Sequence, residues 1–167
     1  MKILLNILLI IFFLGYSKNE EMISLKCMVE ITDYRGEGAY FSISIIDDKD
    51  LYLKTVYVLG TDKTWFSEMK SFWKHLKIND LYLDDEFYPL IEGISGPTIS
   101  GGETRILQLK IPKLLYNKTN RLRFETAVED KGYYTDDINV ELNNESLSKS
   151  YQGNGFIRNI KFMLPVK

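Results

Sequence analysis

Apolar and polar residues alternate along most of this chain, which is the pattern of half-buried β-strands. The first such segment places four apolar side chains on one face: Leu25, Cys27, Val29 and Ile31. The same two-residue period recurs at Phe41, Ile43 and Ile45, at Leu107, Leu109 and Ile111, at Leu122, Phe124, Thr126 and Val128, and at Ile138, Val140 and Leu142. A looser version, Phe156, Ile160, Phe162 and Leu164, predicts a last strand. Short strands separated by turn signals predict a mostly β chain.

An acidic segment at residues 47–50 separates the strand that contains Ile45 from an apolar run at residues 51–59. Two strands joined by a short polar turn indicate a hairpin. Clustered carboxylates also suit a calcium ion, but the segment lacks the fixed alternation and the distal glutamate of an EF-hand loop. A solvated turn without a metal is therefore the favoured interpretation.

A single segment, residues 64–76, has helical periodicity, with Thr64 as a plausible N-cap. Its apolar positions are Phe66, Met69, Phe72, Trp73 and Leu76. Many strands and one short amphipathic helix predict a mostly β fold, an immunoglobulin-like β-sandwich.

The first residues match a secretory leader. Lys2 precedes an apolar run at residues 3–14, interrupted only by Asn6, and small residues follow at positions 15 and 17. The run is too short for a permanent membrane anchor. We therefore predict a signal peptide at residues 1–17, a single β-sandwich domain at residues 18–167, and a periplasmic or secreted protein.

Composition excludes several classes of function. The net charge is -2 with 26% charged residues, so there is no basic surface for nucleic acid. Cys27 is the only cysteine and His75 the only histidine, which gives little support to a zinc site or a hydrolase triad. The alternation predicts that Cys27 is a buried thiol. No catalytic residue and no metal ligand is assigned.

Glycine, proline, hydroxyl and carboxylate residues crowd together in one loop, residues 92–98, with the sequence EGISGPT. Glycines permit unusual backbone angles and Pro97 fixes its own φ, so the sequence predicts a tight turn that presents the Thr98 hydroxyl. The alternative is a plain glycine-rich loop between two strands.

This loop resembles the acceptor motif of covalently flavinylated extracytoplasmic proteins. The matching positions are Glu92, Gly93, Ile94, Ser95, Gly96 and Thr98, with glutamate where aspartate is usual and Pro97 where alanine is usual. The resemblance implies that FMN is joined to Thr98 through a phosphoester bond and that Glu92, Gly93, Ser95 and Gly96 complete the cofactor-binding loop.

The order of features along the chain resembles the domain of unknown function 2271 family, which consists of predicted periplasmic, flavinylation-associated proteins. The segments that carry the resemblance are residues 38–41, 54–60, 72–73, 92–98 and 125–133. The family context implies an electron-transfer role beside a flavin transferase and a PepSY-type membrane reductase, with the chain as a redox carrier or accessory protein rather than a self-sufficient enzyme. Candidates for stacking on the flavin are Trp65, Trp73, Phe87 and Tyr88, although Trp73 is favoured as a core residue. The alternative is a non-catalytic immunoglobulin-like binding module of a membrane or periplasmic complex.

Overall fold

A computed structural model describes residues 20–59, 69–78, 95–116 and 119–164. In chain order its strands are β1 (Met22–Ile31), β2 (Tyr40–Ile46), β3 (Tyr52–Leu59), β4 (Ser95–Gly96), β5 (Thr104–Pro112), β6 (Arg121–Val128), β7 (Gly132–Glu141), β8 (Ser150–Gln152) and β9 (Ile157–Met163). Its helices are α1 (Lys70–Ile78), α2 (Asn144–Leu147) and a 3-10 turn, Lys113–Leu115. None of the helices in these ranges is long and apolar enough to cross a bilayer.

The strands form two sheets. One has four strands in the order β5-β1-β9-β8, and the other has five in the order β4-β3-β2-β6-β7. All neighbours pair antiparallel except the two-residue β4, which runs parallel to the end of β3. Each sheet therefore mixes strands from both halves of the chain.

The main core lies between the two sheets. Phe124 of the five-stranded sheet packs against Phe162 of the four-stranded sheet, with ring centroids 6.4 Å apart. The apolar positions of the predicted alternation are buried there, among them Leu25, Val29, Phe41, Ile43, Leu107, Leu109, Leu122 and Val140. The prediction of a mostly β sandwich with a short amphipathic helix is confirmed, and α2 is an additional helix that the periodicity did not indicate.

The hairpin between β2 and β3 is also confirmed. In its turn, Asp47 Oδ1 accepts hydrogen bonds from the backbone N–H groups of Lys49 and Leu51, each at 2.8 Å. Asp50 adopts a φ of 63°, a conformation that aspartate tolerates better than most residues. The carboxylate of Asp47 thus closes the turn, and the described residues contain no group of three or more His, Cys, Asp or Glu side chains that could hold a metal ion.

Helix α1 covers the second half of the segment with helical periodicity and extends two residues past it. Met69, Phe72 and Trp73 are buried in a cluster that includes Val58 and Ala127 of the five-stranded sheet. Trp73 is therefore a core residue, as its position on the apolar stripe indicated. The first half of the segment, with Thr64, Trp65 and Phe66, lies outside the described residues, as does the side chain of His75.

Cys27 is fully buried in the main core, and burial raises the pKa of its thiol far above the ordinary value. The prediction of a buried thiol is confirmed. The predicted signal peptide, residues 1–17, lies outside the described residues and stays a prediction.

Candidate functional site

Connecting segments from distant parts of the chain meet at one end of the sandwich. The backbone N–H of Thr32 donates to Phe156 O at 2.9 Å, and Gly102 N donates to Thr32 O at 3.1 Å. The ring of Tyr34 packs edge-on against Phe156 with centroids 5.5 Å apart. This end therefore joins the β1–β2 connection to the loop before β5 and to the loop before β9.

The loop that contains Thr98 is attached to this end by backbone pairing. Ser95 and Gly96 form β4 beside Val58 and Leu59. Three residues further on, Ile99 N and O exchange hydrogen bonds with the backbone of Ala39, at 3.3 and 2.7 Å. The segment around Thr98 is thus extended and paired before and after this residue, which differs from the tight turn that the glycines predicted.

Thr98 lies on the outer face of the five-stranded sheet. Its neighbour Ile99 is fully buried in the main core, and alternate residues of an extended segment point to opposite faces. The Thr98 side chain instead lies against Gly38, where an added Cβ would be 2.5 Å from Thr98 Oγ1 and 2.8 Å from its Cβ. The hydroxyl is half-buried and occupies the space that a glycine leaves open.

Arg105 fixes the backbone on which Thr98 lies. Its Nη1 donates to the carbonyl oxygens of Pro97 at 2.7 Å and Thr98 at 3.1 Å. Its Nη2 lies 3.3 Å from Glu103 Oε2, and the same oxygen accepts from Ser100 N at 2.9 Å. A half-exposed guanidinium therefore lies against the backbone of Pro97 and Thr98, where it is paired with Glu103. Sequence reasoning missed it because position 105 reads only as one residue of a strand.

Of the residues predicted for the site, Thr98 is described with its side chain, and Ser95 and Gly96 are described by their backbone alone. Glu92 and Gly93 lie outside the described residues, together with Phe87 and Tyr88. Gly38 and Arg105 are the residues that the structure adds around Thr98.

The same outer face carries buried polar side chains, and one of them, Glu125, is linked to α1 through Tyr133. We name this set the outer-face cluster; its members are Ser42, Ser44, Arg123 and Glu125, which are 0%, 0%, 6% and 0% exposed. The alternation placed the two serines opposite the core, where polar residues are usually solvated. The amphipathic helix is the one sequence feature that could have predicted burial of this face. Its apolar side must pack against another element, and the outer face of a sheet is such a surface.

Glu125 is the acidic member of the outer-face cluster, and its pKa is raised. Its Oε2 accepts a hydrogen bond from the Tyr133 hydroxyl, and its Oε1 lies 3.4 Å from Arg123 Nε. Burial raises the pKa of the carboxyl to about 7, although the Tyr133 hydrogen bond and the Arg123 charge act in the opposite direction. Tyr133 Oη also accepts from Phe72 N at 3.2 Å, so this pair is tied to α1. Burial, followed by the Glu125 charge, raises the pKa of the tyrosine as well.

Thr98 lies beside Gly38, just before β2, and β2 is the strand that carries Ser42 and Ser44 of the outer-face cluster. Tyr40 and Ser42 point to the outer face, because the alternating residues Ala39, Phe41 and Ile43 belong to inward-facing clusters, whereas Tyr40 packs with α1. Gly38, which faces Thr98, is four residues before Ser42, which corresponds to about 13 Å of strand. Ser42 in turn is paired with Glu125 on β6.

The comparison with family models matches residues 22–159, which is most of the chain, to a family described as a predicted periplasmic protein. This description agrees with the export and periplasmic location that the leader sequence predicts. The searches of curated proteins and of solved structures gave no match.

Proposed function

Because the chain belongs to the domain of unknown function 2271 family of periplasmic proteins, we propose that it serves there as a flavin-associated electron-transfer protein that carries FMN covalently on Thr98. The observation that supports this most is the position of the Thr98 side chain. It lies at the margin of a sheet, against a glycine, with its backbone held on both sides.

The attachment chemistry needs an accessible hydroxyl and an activated flavin. In the proposed step, Thr98 Oγ1 attacks the FMN phosphorus of flavin adenine dinucleotide on a separate flavin transferase. The new oxygen–phosphorus bond forms as the pyrophosphate bond breaks, AMP leaves, and the hydroxyl proton passes to a base of the transferase. The Thr98 side chain fills the space beside Gly38, so a side chain at position 38 would crowd the hydroxyl.

Arg105 holds the backbone of the acceptor loop. Its Nη1 donates to the Thr98 carbonyl oxygen and its Nη2 is paired with Glu103, so it fixes the segment from which the Thr98 hydroxyl projects. The flavin supplies the redox chemistry, whereas the protein holds and shields it. The partners in this proposal are a flavin transferase, which modifies the chain, and a PepSY-type membrane reductase, which exchanges electrons with it.

The test is to express the mature protein with its own flavin transferase and to measure its intact mass and visible absorbance. We expect an FMN-sized mass increment together with flavin absorbance, both lost in Thr98→Ala. Thr104→Ala, which alters an exposed threonine on β5, is the matched control and keeps both. A colourless, unmodified protein beside an active transferase contradicts the proposal.

The second candidate function is a non-catalytic binding module, and one surface feature favours it. Ile106 is 57% exposed on the outer face of the four-stranded sheet, where it pairs with Met28, and Met163 on the same face is 38% exposed. Exposed apolar side chains that are grouped on a sheet are common in protein contacts. Ile106→Lys would then abolish co-purification with the membrane complex and leave the flavin content unchanged.

A further inference from the structure

The outer-face cluster contains polar atoms that have no hydrogen-bond partner within the described part of the chain. They are Ser42 Oγ, Ser44 Oγ, Arg123 Nε and Nη2, and Glu125 Oε1; Nε and Oε1 lie 3.4 Å apart as an ion pair without forming a hydrogen bond. Native proteins retain few buried polar groups in this condition, because each one has lost its water without gaining a replacement. Five such atoms on one face of two paired strands indicate a site that a ligand completes.

The chemistry of these atoms defines the ligand. Arg123 and Glu125 lie beside each other, so they present a hydrogen-bond donor and an acceptor side by side. The guanidinium donates, the carboxyl oxygen accepts, and each serine hydroxyl can do either. A neutral edge with both carbonyl oxygens and N–H groups satisfies this mixed set.

The surroundings of the cluster are aromatic. Phe72 and Trp73 of α1 pack edge-on with centroids 4.8 Å apart, and they share a cluster with Tyr40. Tyr52 and Tyr133 pack against the same group. Aromatic side chains pack well on flat rings, and binding sites of mostly apolar lining with a few convergent polar groups are typical for small molecules and cofactors.

We propose that the outer-face cluster binds the polar edge of a flat heteroaromatic ring that carries neighbouring carbonyl and N–H groups, between the sheet and α1. The polar atoms are enclosed in this structure, so binding requires the side chains above them to move. If the proposed function holds, the ring is the isoalloxazine of the flavin tethered at Thr98, which lies on the same face. Only the identity of the ring as a tethered flavin rests on the proposed function; binding of a flat ring by the outer-face cluster does not depend on it.

The test uses free lumiflavin, which has the ring system without the ribityl phosphate, and the Thr98→Ala protein, in which attachment is impossible. Binding is followed by quenching of lumiflavin fluorescence and by calorimetry. We expect saturable binding that the additional changes Ser42→Ala and Ser44→Ala weaken by about tenfold or more, which corresponds to the loss of one or two hydrogen bonds to the ring. The control pair, Ser24→Ala and Ser150→Ala, changes exposed serines of the four-stranded sheet and leaves the affinity unchanged.

Thermal unfolding without ligand separates a binding role from a structural one. If the serine hydroxyls are unpartnered in the free protein, their removal leaves the melting temperature unchanged or raises it. A clear fall in melting temperature for the serine pair would show that the hydroxyls hold the fold, and it overturns the inference. Absence of binding at about 1 mM lumiflavin, or equal weakening by the control pair, overturns it too.

These outcomes are independent of the attachment experiment. Lumiflavin binding by the outer-face cluster with no covalent modification of the wild-type protein supports the inference and rejects the attachment at Thr98. Covalent modification of Thr98 without ring binding supports the proposed function and rejects the inference.

Discussion

The Thr98 side chain lies in the space above Gly38, where an added Cβ would come within 2.5 Å of the hydroxyl oxygen. This contact places the candidate acceptor on the outer face of the five-stranded sheet, opposite the main core. It also makes residue 38 the position that controls the room around the hydroxyl.

Gly38→Ala is expected to destabilise the protein by about 1–3 kcal/mol, because the new methyl group overlaps the Thr98 side chain and neither backbone segment can move without loss of the Ala39–Ile99 pairing. Urea denaturation measures the change in the free energy of unfolding. With the transferase present, the variant also gains less FMN in mass spectra. Gly38→Ala combined with Thr98→Gly removes the overlapping atoms, so the double variant recovers stability; a double variant as unstable as Gly38→Ala contradicts this explanation.

Arg105→Met is expected to slow flavin attachment with little loss of stability. The guanidinium holds the carbonyls of Pro97 and Thr98, but it is half-exposed, and exposed charge contacts contribute about 1 kcal/mol or less. The rate of mass increase in the presence of the transferase is the measurement. Arg158→Met, which breaks exposed ion pairs to Glu30 and Asp33, is the control and should show the wild-type rate.

Glu125 gives the protein a specific dependence on pH. Its pKa is raised in the folded state from 4.5 to about 7, so between these values the folded state holds a proton that the unfolded state has released. The contribution of Glu125 to the free energy of unfolding is therefore complete below about pH 4.5. It falls by about 3 kcal/mol as the pH rises to about 7. Glu125→Gln cannot ionise, so it becomes more stable relative to the wild type as the pH rises.

Urea denaturation of the wild type and of Glu125→Gln at pH 5 and pH 8 measures this difference. Other carboxylates titrate in both proteins, and their contributions cancel in the comparison. Glu21→Gln, at an exposed position, is the control for the loss of one negative charge. A difference between wild type and Glu125→Gln that is the same at both pH values would contradict the assignment.

Asp137 holds the end of the sandwich at which Thr98 lies. Its buried carboxylate accepts from Thr126 Oγ1 at 2.5 Å, Gly155 N at 2.7 Å and Ile157 N at 3.0 Å. Asp137→Ala leaves these donors without an acceptor, and we expect it to cost about 3 kcal/mol or more. Chemical denaturation measures the loss. The exposed neighbour Asp136 offers a matched alanine variant, for which we expect a change of about 0.5 kcal/mol or less.

The strands were predictable because their pattern is local. One buried face imposes a two-residue period on the sequence, and that period marked the inward residues of β1, β2, β5, β6 and β7. The short acidic turn between β2 and β3 was predictable for the same reason, since Asp47 bonds to backbone groups only two and four residues away. The order of the strands within each sheet was not predictable, because the pairing of β1 with β5 and β9 joins residues far apart in the chain.

By itself, the sequence determined which residues alternate, that the chain is mostly β with a short amphipathic helix, that Cys27 is buried, and that the loop ending at Thr98 is unusual. The tertiary structure alone decided that Thr98 faces Gly38, sixty positions earlier. It also decided that the outer-face positions Ser42 and Glu125 are buried. The physical reason is that alternation distinguishes the two faces of a strand, whereas only the packing of another element over the second face determines whether that face meets water.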